Sequence, residues 1–212
     1  GGHAVHSFLT HGLPLTGFKE YPTEIAEVAS MSMELFTMDH WDVFFSDPTE
    51  LQRAKEQQLE RVITIFPWIA TIDKFQHWIY EHPGSNAVTR NQVWLSILNE
   101  FSSSVIDFSG LEDYRAYQWQ RQLHLFEVPF YYIEYGIAQL GALGVWKNSL
   151  TDFSKAINQY SAALKLGYSE TIPTIYQTAG VKFDFSETYL NELALFVESQ
   201  LESFKTNANT LS

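Results

Sequence analysis

Cysteine is absent from this chain of 212 residues. That excludes a disulfide framework and any thiolate-ligated metal, and it suits a reducing compartment such as the cytoplasm. Long apolar runs are missing too. No stretch approaches the roughly 20 residues a membrane-spanning helix needs, and no secretory leader is visible. Basic residues are scarce, with 13 Lys and Arg against 25 Asp and Glu and a formal net charge of −12. That balance disfavours nucleic acid and anionic membrane surfaces as partners. Sustained period-two alternation is also lacking, so strands are not expected and the fold class reads as all-α.

What is present is apolar and aromatic. Hydrophobic residues make up 45% and aromatic residues 16% of the chain, enough for a large core built on big rings and too much for a disordered composition. The length suits one domain with room for two lobes.

Punctuation along the chain sets the expected helices. Residues 3–10 read as a helix stopped by Gly12 and Pro14, with a loop to Pro22. Thr23 is expected to N-cap a helix reaching Met38. Asp47-Pro48 opens the next helix, which Pro67 kinks or restarts; its apolar stripe is Trp68, Ile69, Ile72, Phe75 and Ile79. Further helices are expected at 89–101, 111–122, 130–146, 150–165, 171–178 and 186–204, with a frayed tail over 205–212. Pro129 opens the 130–146 helix, whose Gly136, Gly141 and Gly144 are expected to permit close packing.

The opening residues carry the chemistry. Gly1-Gly2-His3 stands where an H-E-x-x-H helix of a metalloprotease would end, with His3 as its second histidine. A peptidase zinc takes three protein ligands and leaves one position for water. Glu27 is the candidate third ligand. Glu34 follows seven residues later, about 20° off the same helical face, and can accept a hydrogen bond from an imidazole. The first histidine and the general-base glutamate would then precede residue 1, so the chain reads as part of a longer protein. Taken alone, His3 and His6 are an i, i+3 pair that also arises without metal, and Glu27 reads equally as a solvated helix residue. His40, His77 and His82 lie outside any ligand spacing. Farther on, Tyr131 and Tyr135 are i, i+4 on the expected helix, with His124 just before it. Phenols and an imidazole facing one cleft could stabilise a carbonyl oxygen as it gains charge. An aromatic core stripe is the other reading.

Three strings, GGHAVHSFL, AEVASMSMELF and HLFEVPFYYIEYGIAQLGAL, occur in this order. Together they resemble the oligoendopeptidase F branch of the M3, thimet-oligopeptidase-like metallopeptidases. The resemblance covers nearly the whole chain. It implies that residues 1–204 are the carboxy-terminal part of a zincin-like, mostly helical catalytic domain acting on short peptides. It also implies one Zn²⁺ per intact site, held by His3 and Glu27 with Glu34 as the supporting carboxylate. His6 matches a recurrent histidine of that helix that is not a ligand. His124, Tyr131 and Tyr135 are implied to bind substrate and the tetrahedral intermediate, whereas Tyr132 is assigned to packing. Without the first histidine and the base, this chain is expected to be inactive and to hold zinc weakly, if at all. Apolar surface left open by truncation could support a homodimer. The rival reading is a helical interaction domain without catalysis, which predicts that His3 and Glu27 lie far apart.

Overall fold

The computed structural model describes residues 1–209, and every regular element among them is helical. The chain runs α1 (Gly2–Thr10), α2 (Thr16–Lys19), α3 (Thr23–Thr37), a 3₁₀ turn over Met38–Val43, α4 (Pro48–Glu81) and α5 (Ala87–Phe101). It continues through α6 (Glu112–Ala116), a second 3₁₀ turn at Gln118–Arg121, α7 (His124–Glu127) and α8 (Ile133–Thr151). The last helices are α9 (Phe153–Lys165), α10 (Ile172–Thr178) and α11 (Glu187–Asn209). The expected 205–212 tail thus begins inside α11, and residues 210–212 lie outside the described residues.

Two compact units divide the chain: residues 1–63 with 137 onward, and residues 64–136. Both boundaries fall inside helices, α4 and α8. The first unit is built on Ile25, Val28, Ala29, Tyr160, Leu164 and Tyr176, all buried. Gly141 and Gly144 permit its tight packing, as expected. A Cβ at Gly141 would meet the Tyr176 ring at 2.7 Å, and one at Gly144 would meet Val181 at 2.9 Å. Gly136 has only ordinary contacts, 3.4 Å from Ile69. The second unit packs Ile72, Phe75, Trp94, Ile97, Leu98 and Trp119. Both buried indoles are satisfied, Trp94 donating to the Arg115 carbonyl and Trp119 to Asn91 Oδ1, each at 2.9 Å.

Several local expectations give way to tertiary ties. Pro22, not Thr23, is the N-cap of α3; its carbonyl accepts from the amides of Ile25 and Ala26. Asp47 caps α4 as expected, its Oδ1 accepting from Thr49 N at 2.7 Å and Glu50 N at 3.0 Å. Pro67 sits inside α4 without ending it. The bond it forgoes is to the carbonyl of Ile63, the residue at which the first unit ends. The helix expected over 111–122 breaks at Tyr117, whose φ of −98° and ψ of 1° leave the helical region. The indole bonds to Arg115 and Asn91 decide that segment, not its propensity. Pro129 does not open a helix either, because Phe130 beyond it has φ +59° and α8 starts at Ile133.

Candidate active site

The first group of candidates is made by α1 docking on α3. Gly2 allows that approach: a Cβ there would lie 2.2 Å from the Ala29 carbonyl oxygen and 2.6 Å from Ser30 Cα. These are backbone atoms and cannot move aside. The same carbonyl accepts a hydrogen bond from the Tyr160 hydroxyl of α9 at 2.7 Å, and burial pushes that phenol's pKa up. His3, the next residue of α1, then reaches Glu27 of α3, Nε2 to Oε2 3.7 Å. The Ser30 hydroxyl donates to the same Oε2 at 2.9 Å and orients the carboxylate. Sequence reasoning overlooked Ser30, although its i+3 spacing from Glu27 was a usable signal.

His6 has a different role from His3. It is fully buried, and its ring stacks on Tyr21 with centroids 3.7 Å apart at 15°. Neither ring nitrogen has a hydrogen-bond partner of normal geometry. Burial, seconded by the nearby His3, lowers its pKa to about 4, against a smaller opposing effect of the Leu164 backbone. A neutral, stacked imidazole is a packing element that fixes α1. Glu34 does not make the expected imidazole bond. Its Oε2 accepts from Gln58 Nε2 at 3.2 Å, and no hydrogen bond joins it to a histidine among the described residues.

Among the described residues no group of three or more His, Asp or Glu side chains could hold a metal ion. His3 and Glu27 supply two donors, and the sequence contains no His-Glu dipeptide to complete an H-E-x-x-H helix. Their 3.7 Å separation is too long for a hydrogen bond. It approaches the roughly 3.3–3.6 Å between two donors each about 2.0–2.2 Å from a tetrahedral zinc. The pair therefore fits a zinc site as part of its donor set.

The second group lies within residues 64–136. His124 on α7 stacks with Tyr131 at 5.7 Å and 19°, and meets Tyr135 edge-on at 5.8 Å. Tyr131 and Tyr135 are 5.3 Å apart. The structure thus brings the expected trio together, but not on one helix, since Tyr131 precedes α8. Tyr132 joins them, 4.9 Å from His124, while also packing on the Trp94 core; burial raises its pKa. Its assignment to packing holds, and its contact with His124 comes from the later start of α8 at Ile133. The Gln122 amide sits 2.6 Å from His124 Nδ1. That contact helps hold the orientation of the ring.

The chain belongs to peptidase family M3, whose profile matches residues 1–195. It resembles a protein provisionally assigned as an oligoendopeptidase F, with 29% identity and a TM-score of 0.85, over 95% of this chain and 35% of that one. PZ peptidase A with an inhibitor is similar at 28% identity and a TM-score of 0.87, over 95% and 36%. The oligoendopeptidase F of Enterococcus faecium, at 19% identity and a TM-score of 0.64 over 99% and 38%, shares the fold. The chain thus spans about a third of the length of these structures. No curated protein matches the sequence. No described helix is long and apolar enough to cross a membrane.

Proposed function

We propose that this chain supplies part of a zinc-dependent endopeptidase site acting on short oligopeptides, with His3 and Glu27 as two of the metal's protein donors. The supporting observation is the 3.7 Å approach of His3 Nε2 to Glu27 Oε2, from residues on different helices. The rival of a non-catalytic domain required them to be far apart. Zinc bound there would polarise a carbonyl and lower the pKa of its water toward about 7. The remaining roles belong to the chain's own side chains. Ser30 holds the Glu27 carboxylate in place. Separately, within residues 64–136, the His124 imidazole and the hydroxyls of Tyr131 and Tyr135 form a group suited to donating hydrogen bonds to a carbonyl oxygen as it gains negative charge. Fixed hydrogen-bond donors suit that task because they favour the oxyanion over the starting carbonyl. The first histidine and the general base are assigned to the parent peptidase, outside these residues.

Zinc titration followed by NMR tests the donor assignment. The His3 imidazole and the α3 amides around Glu27 are expected to shift together. His3→Ala and Glu27→Gln should each weaken binding roughly tenfold or more. A titration that moves other histidines and leaves His3 and Glu27 unperturbed would rule the assignment out.

A further inference from the structure

The turn between α7 and α8 holds Phe130, the one non-glycine residue with positive φ among the described residues, at +59°. Pro129 precedes it, and the Tyr131 amide donates to the Val128 carbonyl at 3.2 Å, closing a four-residue turn. Proline at the second position with positive φ at the third is the type II pattern, which favours glycine or asparagine at that third position. A bulky side chain there is an outlier, because its Cβ crowds the adjoining backbone. The ring explains why the outlier persists. It lies 4.9 Å from His77 and 4.9 Å from Tyr80, centroid to centroid. Those two residues are i, i+3 on α4 and share one face. Phe130 cannot relax its backbone without giving up both contacts. The next residue along is Tyr131, stacked on His124.

We propose that Phe130 is a positioning residue: its ring, clamped by His77 and Tyr80, holds the left-handed turn that sets Tyr131 against His124 and Tyr135. The functional meaning of this device rests on the carbonyl-binding reading of that trio. Strained residues persist where their surroundings over-determine them, and they concentrate at working sites. Glycine at position 130 would let the turn form without fixing it. Alanine would neither fill the clamp nor suit the backbone.

The test uses the chain of 212 residues and reads nuclear Overhauser contacts between the rings of Tyr131 and His124. Phe130→Gly and Phe130→Ala should lose most of that contact, with the Trp94 indole resonance unchanged as a check on the core. Phe130→Tyr should retain it. Phe130→Gly should also unfold at higher denaturant than Phe130→Ala, the reverse of the order at an ordinary backbone position. A Tyr131–His124 contact of full strength in Phe130→Gly overturns the proposal. If that variant does not fold, Tyr80→Leu carries the same expectation, and an undisturbed contact there overturns it equally. In the complete peptidase, Phe130→Gly should lower kcat about tenfold with little change in KM, and Phe130→Tyr should restore it. The carbonyl-binding reading fails separately, if Tyr131→Phe leaves kcat unchanged while the ring contacts respond as expected.

Discussion

His6 shows how much one side chain can do without touching a substrate. Its pKa falls from 6.5 to about 4 on folding, so the unfolded chain binds the proton more readily. The stability it contributes is complete above pH 6.5 and is lost as pH falls through about 4. Each pKa unit is worth about 1.4 kcal/mol, so the loss attributable to His6 is on the order of 3 kcal/mol. Denaturant unfolding of the wild type and of His6→Phe at pH 7, 5 and 4 isolates it. The stability of the wild type relative to His6→Phe should fall toward acid, and parallel curves would show that His6 does not titrate between the states. His3, three residues away and half exposed, is free to meet Glu27 because His6 is the residue that anchors the helix.

At the scale of elements, the crossing of α1 and α3 governs the donor pair. Gly2→Ala forces a methyl group into the Ala29 carbonyl and should destabilise the chain by about 1–3 kcal/mol or more, since backbone cannot repack. It should also separate His3 from Glu27, visible as loss of contacts between their side chains in NMR spectra. A variant as stable as wild type with the pair intact would show that the helices can shift cheaply. The helices themselves were largely legible in the sequence. Asp47-Pro48 punctuates α4 through local chemistry, and the structure uses Asp47 as its cap. The cap at Asp152 was not read, since it fell inside the helix expected from residue 150. What else escaped was set by distant partners. The break at Tyr117 answers to Trp94 and Asn91, and the delayed start of α8 answers to a turn clamped from α4. His3 and Glu27 were singled out by a motif, and the structure places them 3.7 Å apart. That Tyr132 also meets His124 escaped because α8 begins later than Pro129 suggested.

For the molecule as a whole, the decisive fact is which chemistry the chain contains. It holds the proposed donor pair His3 and Glu27 and a set of carbonyl-binding candidates, and no His-Glu dipeptide. Proton transfer by a general base typically contributes on the order of 10²–10⁴-fold to rate. Incubation of this chain with zinc and a quenched oligopeptide should therefore give no appreciable cleavage. Zinc-dependent turnover by these 212 residues would mean that another side chain serves as base. The hydrogen bond from Tyr160 to the Ala29 carbonyl spans 131 residues of sequence. His3 and Glu27 precede Tyr160 in the chain, and the carbonyl beneath their helix crossing gains this anchor only when α9 docks. The crossing that carries His3 and Glu27 is thus tied down by closure of a long loop as well as by its local helix–turn–helix.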